Sequence, residues 1–157
     1  MKIALLQTGK TTDAFVAEGV GLYSVRIRKY ASFETITIPD LKNTRNMPVA
    51  EQKVKEGRKI MESVGMDDIM VLLDEKGKEL RTSEFADWIS KQSMMTAKRI
   101  VFVIGGPWGV SAEVQNAAAF RISLSRMTFP HQLVRLVFME QLYRAFTIIK
   151  GEPYHHE

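Results

Sequence analysis

The chain of 157 residues has no cysteine and three histidines, two of them adjacent near its end. The first absence excludes disulfides, thiolate nucleophiles and thiolate metal sites, and the scarcity of imidazole leaves little to hold a metal, so none is expected. Long apolar runs are missing too. None approaches the ~20 residues of a membrane span, and the first residues do not form a basic segment followed by an apolar stretch and a cleavage site. A cytoplasmic protein with no membrane association is therefore expected. Excess charge is small: a net +4 and a pI near 9.4, spread over many segments, permit a polyanionic partner without requiring one. What remains is ordinary for a globular protein, 45% apolar and 25% charged, and the length suits one domain over residues 1–157.

Five segments read as strands. Lys2 to Gln7, Asp68 to Leu73 and Arg99 to Ile104 are compact apolar runs, Phe33 to Ile38 alternates with period two, and Phe120 to Leu124 is a shorter alternating run. Helices fall between them. One is capped from Thr11-Thr12-Asp13 and reaches about Tyr30. The next starts with Pro48 at its first turn and reaches about Val64; a third, capped by Thr82 or Ser83, runs to about Met95. Ser111 caps a short helix including Glu113 to Ala118, and a long one begins near His131. Asp74 to Glu79 reads as a charged turn. Regular alternation of strand and helix implies an α/β fold, a mainly parallel five- to six-stranded sheet with helices on both faces. The last helix is apolar nearly all round, from Leu133 to Ile149, and a helix of that kind must be covered nearly all round. A second copy of the chain is the expected cover, so a homodimer is predicted.

Two places carry the chemistry. In IVFVIGGPWG, Ile100 to Gly109, an apolar run stops at Gly105-Gly106, where missing Cβ atoms let the backbone approach a flat ligand. In Ser125 to Phe129, exposed amides and two hydroxyls stand beside Met127 and Phe129, a combination suited to an adenine and its ribose. Both lie at carboxyl ends of strands, where parallel sheets bind ligands. Thr8-Gly9-Lys10-Thr11 has only the end of a phosphate-loop pattern, and Gly19-Val20-Gly21 lies within a helix, where close packing is the better explanation. In the last helix Glu140 and Arg144 are an i,i+4 pair. A charge at Arg144 amid apolar residues would be explained by an anionic substrate.

Taken together, IGGPWG, LSRMTFPHQLVRLVFMEQLYRAF and the closing EPYHHE resemble the small SPOUT-superfamily methyltransferases of the RlmH family, over the full chain. The resemblance implies a trefoil knot at the C-terminal end of the fold and a homodimer whose sites draw on both subunits. It implies transfer of a methyl group from S-adenosylmethionine to N3 of a pseudouridine in large-subunit (23S) rRNA on the assembled ribosome. The family's cofactor positions fall on Leu73, Gly105 with its neighbour Gly106, Leu124, Ser125, Arg126, Met127, Thr128 and Phe129. His131, Arg144, Tyr154 and His155 are expected around the target base, and His156 stands where the family carries a basic residue. Arg26, Lys29, Lys42, Arg45 and Lys53 are candidates for RNA phosphates. The competing functions are a non-catalytic RNA- or ribosome-binding protein that keeps the fold, which binding of S-adenosylmethionine would distinguish, and a methyltransferase for another RNA.

Overall fold

The computed structural model describes residues 1–95 and 98–157. It contains five strands, β1 (Lys2–Thr8), β2 (Ser32–Ile38), β3 (Ile69–Glu79), β4 (Ile100–Ile104) and β5 (Phe120–Ser123), interleaved with five helices, α1 (Ala14–Ile27), α2 (Val49–Ser63), α3 (Thr82–Met95), α4 (Ala112–Ala117) and α5 (Leu133–Ile149). All strands are parallel, in the order β2-β1-β4-β3-β5. Because successive side chains point to opposite faces, each strand feeds two cores. Ile3, Leu5, Val71, Ile100 and Phe102 meet α1, α3 and α5 through Ile27, Ile89, Phe138 and Leu142. Ala4, Leu6, Met70, Val101 and Val103 meet α2 and α4 through Ile60 and Val114. Coverage on both sides explains why the central strands are apolar without alternation.

The strand order decides where the chain must cross itself. β5 lies outside β3, so the β4–β5 connection passes β3 through α4 on one face, while α5 returns to the other face between α1 and α3. This return, residues 124–132, lies in the C-terminal part of the fold, where the resemblance implies a trefoil knot. Here the expected charged turn needs correction: β3 runs through it. Leu73 and Lys78 both pair with Ile122, so residues 74–77 are extra on the β3 side. Gly77 makes this possible, since a Cβ there would lie 2.8 Å from the backbone of Arg121 and Ile122.

Helix starts also differ from expectation. Pro48 is the residue before α2, with extended backbone, rather than its first helical residue. In α3, Thr82 is already helical, and the amide of Arg81 donates to Glu84 Oε2 at 2.7 Å, one half of a capping box counted from Arg81. Thr82 instead spends its hydroxyl on Gln141 Oε1 of α5, 2.9 Å away. Ser111 caps α4 as expected, accepting from the Val114 amide at 3.3 Å.

The apolar surface of α5 is covered within the chain to a greater extent than expected. Phe138, Met139, Leu142 and Ala145 are fully buried between the sheet and its helical neighbours. Gly19 lets α1 approach closely, since a Cβ there would lie 2.6 Å from Leu136 Cδ1, and Tyr30 stacks on Phe146 at 5.6 Å. Three exposed large apolar side chains share the outer side of α1, where Phe15, Leu22 and Val25 are 62%, 51% and 60% exposed, while others, Met66, Trp108 and Met127 among them, lie scattered elsewhere.

At the opposite end of the sheet, Arg99 forks onto Asp68 with bonds of 3.1 and 2.5 Å and reaches Glu34 at 2.7 Å. Hydrogen bonding from Arg99 holds the Asp68 carboxyl below its ordinary 3.8. Its contribution is complete above that ordinary value and disappears as the pH falls through the lower folded value. Asp68→Asn should therefore cost about 1–3 kcal/mol at pH 7, with the difference from the parent vanishing under acid, measurable by urea unfolding as a function of pH. Gly77→Ala should cost about 1–3 kcal/mol in the same measurement, because the clash is with backbone and cannot be relieved by a side-chain rotation.

Candidate active site

The carboxyl ends of β3 and β4 and the segment after β5 surround a cleft of ≈ 680 Å³. That volume suits a nucleoside-sized ligand. Leu73, Gly105, Gly106, Leu124, Ser125, Met127, Thr128 and Phe129 all line it, and so does His131. Arg126 is the exception among the expected cofactor residues: its side chain is 82% exposed and lies 3.2 Å from Glu79.

The walls are shaped locally. Gly105 has no room for a Cβ, which would come within 2.6 Å of Val110 Cγ1. The amide of Gly106 donates to Glu56 Oε1 of α2 at 3.0 Å, and Gly109, at φ +81°, returns its own amide to the Gly106 carbonyl at 3.0 Å. This tight turn keeps the β4 end open to a ligand. Opposite, Ser125 Oγ accepts from the Met127 amide at 2.9 Å and Ser123 Oγ donates to the Ser125 carbonyl at 3.0 Å, so hydroxyls bend the chain away from the strand. Thr128 Oγ1 reaches Glu75 Oε2 at 3.3 Å, linking this segment to the extra residues of β3.

The expected catalytic set is not brought together within one chain. His131 is at the cleft, whereas Arg144 lies further along α5 and Tyr154 and His155 lie in the tail that follows it. Val134 lines the cleft and Arg144 is ten residues on, about 15 Å by helical rise. There Arg144 pairs with Glu140, Tyr154 donates to the same carboxylate at 3.2 Å, and the Arg144 guanidinium lies 4.6 Å from the centre of the Tyr154 ring. The Glu140 hydrogen bond raises the Arg144 pKa and keeps it charged. Burial, then the bond with Tyr23, pushes the Tyr154 phenol well above its ordinary value. His155 Nε2 is 3.5 Å from Glu157.

Several residues with a part in this architecture escaped sequence analysis. Asp74 and Glu75, assigned there to a turn, stand on the cleft wall, and Glu56 braces the glycine turn from α2. Arg135 was passed over, although the reasoning applied to Arg144 applies more strongly to it. It is 1% exposed, and its Nη atoms donate to the carbonyls of Thr8 and Gly9 at 2.7 and 3.1 Å and to Thr11 Oγ1 at 3.0 Å. The signal was a cation flanked by apolar residues in the first turn of the helix. The same contacts show what the Thr8–Thr11 loop does: its carbonyls face a cation, and the Gly9 amide is spent on the Ile38 carbonyl at 2.7 Å. Among the described residues no cluster of three potential metal ligands occurs, and no helix is long and apolar enough to cross a membrane.

A parallel sheet covered on both faces, with a nucleoside-sized cleft built from successive strand ends and a glycine turn, defines an α/β cofactor-binding protein. A family model described as a predicted SPOUT methyltransferase matches residues 1–155. Two relatives named ribosomal RNA large subunit methyltransferase H are similar over essentially their whole length. The one from Parabacteroides distasonis is 48% identical over 157 residues, 100% of each chain, and the one from Christiangramia forsetii is 50% identical over 156 residues, 99% of each. The chain belongs to the SPOUT methyltransferase family, in the branch of these relatives. A solved SpoU methyltransferase, AviRb from Streptomyces viridochromogenes in complex with AdoMet, aligns with a TM-score of 0.46 at 10% identity over 96% of this chain and 61% of that one, too loosely to weigh further.

The phenols offer a direct check on the second cluster. Tyr30 is pushed up to about 12, by burial first and then by its bond to Glu152, and Tyr154 is raised as well. Both should stay neutral throughout the neutral and mildly alkaline range. In an ultraviolet pH titration, Tyr154→Phe and Tyr30→Phe should each remove absorbance change only from the most alkaline part of the curve.

Proposed function

We propose that this chain transfers a methyl group from S-adenosylmethionine to N3 of a pseudouridine in 23S rRNA, on the assembled ribosome in the cytoplasm, and does so as a homodimer. The observation that carries the proposal is the convergence of Leu73, Gly105, Gly106 and residues 124–129 on one cleft, in a chain of this family. The donor set suits the cofactor. Leu73, Leu124, Met127 and Phe129 supply apolar walls for an adenine, the glycine turn allows backbone approach, and the amides and hydroxyls between Ser125 and Thr128 are suited to ribose oxygens. When bound, the sulfonium supplies an electrophilic methyl group.

The protein's share of the chemistry is alignment and the N3 proton. Neutral N3 is a poor nucleophile, so the ring must give up that proton, to solvent water or to a neutral imidazole of His131 or His155, as the methyl arrives. Arg144, held charged by Glu140, is suited to stabilise the resulting anion, and Tyr154, held neutral, to turn its one O–H from Glu140 onto it. His131 approaches from the cleft side, with His155 beside the second cluster. A second copy of the chain reconciles the separation of these groups: packed against α1, where Phe15, Leu22 and Val25 are exposed, it would bring one subunit's Arg144, Tyr154 and His155 to the other's cleft. Arg26, whose guanidinium lies 5.6 and 5.4 Å from the Tyr23 and Tyr143 ring centres, together with Lys29, Lys42, Arg45 and Lys53, supplies positive charge for RNA phosphates.

Purified protein, labelled S-adenosylmethionine and ribosomes from cells lacking the activity should yield label in N3-methylpseudouridine; label in another nucleoside, or none, would overturn the assignment. Alanine at His131, Arg144, Tyr154 or His155 should lower transfer by roughly 10²-fold or more where the group acts on the proton or anion, with cofactor affinity measured separately. Near-normal transfer by all four would remove them from the site. Leu22→Glu should give a monomer in sedimentation and lose transfer by at least about tenfold, because each half-site would lack its complement.

A further inference from the structure

Two residues in the first turn of α5 form a polar clamp that the proposed chemistry does not use. Gln132 Oε1 accepts from the amides of Thr12 and Asp13 at 2.9 and 3.5 Å, and its Nε2 donates to the Lys10 carbonyl at 3.1 Å. Arg135 adds its three bonds to Thr8, Gly9 and Thr11. Six hydrogen bonds thus tie one helical turn to the β1–α1 loop, across more than a hundred residues of chain. Residues 124–131, which form one wall of the cleft, lead directly into that turn.

Stability alone is a poor account of Arg135. It is buried with its Nε–H unpaired, and among the described residues no carboxylate forms an ion pair with it. Burial lowers its pKa, an effect that Asp40 only partly opposes. An unbranched apolar side chain would fill the same volume without that cost. What the guanidinium alone provides is a rigid fork that holds adjacent carbonyls in fixed relative positions. The glycine-turn wall has its own brace in Glu56, and the β3 wall is part of the sheet. The 124–131 wall is a loop joined to β5 at one end and to the first turn of α5 at the other, and it is that turn that the six bonds fix to the end of β1.

Building on the cofactor cleft proposed above, we infer that Arg135 and Gln132 are positioning residues for methyl transfer, fixing the 124–131 wall and His131 against the end of β1 so that the cleft is preformed for the adenosyl group. They act through the loop. Releasing the clamp lowers the fraction of molecules with a competent cleft, and apparent affinity falls by that fraction while the saturated rate is spared.

The test uses the full-length chain with Arg135→Met and Gln132→Ala, and S-adenosylhomocysteine as the probe. Thermal unfolding of the ligand-free proteins, calorimetric affinity and amide exchange are measured beside steady-state kinetics. Arg135→Met, which leaves the Thr8 and Gly9 carbonyls without this donor, should unfold at a lower temperature than the parent but stay folded at the assay temperature, and bind the probe roughly tenfold more weakly, as expected if about a tenth of the folded molecules keep the competent wall. KM for S-adenosylmethionine should rise in parallel with kcat changed by less than about threefold, and amides 124–131 should exchange faster. Gln132→Ala, which removes no buried charge, should shift affinity in the same direction. Affinity within about twofold of the parent in both variants, beside a parent that binds, would overturn the clamp alone. A parent chain that does not bind the probe would overturn the cofactor reading, and this inference with it.

Discussion

The structure depends on the placement of one short strand. β5 pairs outside β3, although β4 lies on the other side of β3, and everything that follows β5 must therefore travel back over the strand ends to reach the helical layer beside α1. In a parallel sheet those ends are where backbone amides and carbonyls run out of ladder partners. The returning segment supplies side chains there, and the space it encloses with the ends of β3 and β4 is the cleft. Site and topology have the same cause. The extra residues at 74–77 serve the same crossing: they lengthen β3 beside β5, and Gly77 alone can occupy the point where the two backbones touch.

Polar groups are distributed around this crossing in two ways. On the cleft, hydroxyls and amides of residues 105–109 and 123–128 turn inward onto their own chain, and Lys53, Asp74, Glu75, Lys76 and Arg121 stand among the lining residues. Away from it, charges are engaged pairwise: Arg99 with Asp68 and Glu34 at the opposite sheet end, and Arg144 with Glu140 and Tyr154 along α5. Arg135 stands apart as a buried cation answered only by carbonyls and a hydroxyl. A guanidinium can be kept there because it never has to be deprotonated and its donors are already arranged as a fork.

Much of the architecture was legible from the residues. The unbroken apolar runs in β1 and β4 could only be strands covered on both faces, and Ser111 named its own helix start. The glycine turn and the Ser125–Phe129 stretch were found from composition at strand ends, and the resemblance extended them to Leu73 and Leu124. The errors have local physical causes. The run Asp74 to Glu79 is charged because it projects beyond the sheet, and polarity of that kind does not separate a turn from the end of an edge-paired strand. Arg81 starts α3 without a capping side chain of its own, so the position had to be inferred from Glu84, three residues later.

The sequence by itself determined which segments are strand and which helix, the two-faced parallel sheet, and the chemical character of the residues lining the cleft, because each depends on periodicity or on the nature of side chains within a few positions. Only the tertiary structure decided the order β2-β1-β4-β3-β5, the cover that α1 and α3 give α5, the distance along α5 between His131 and Arg144, and the hold of Arg135 on the end of β1. These relations join residues from about ten to more than a hundred positions apart or compare alternative ways of burying similar apolar faces, and the energies that choose among them are differences in packing and hydrogen bonding that no local pattern records.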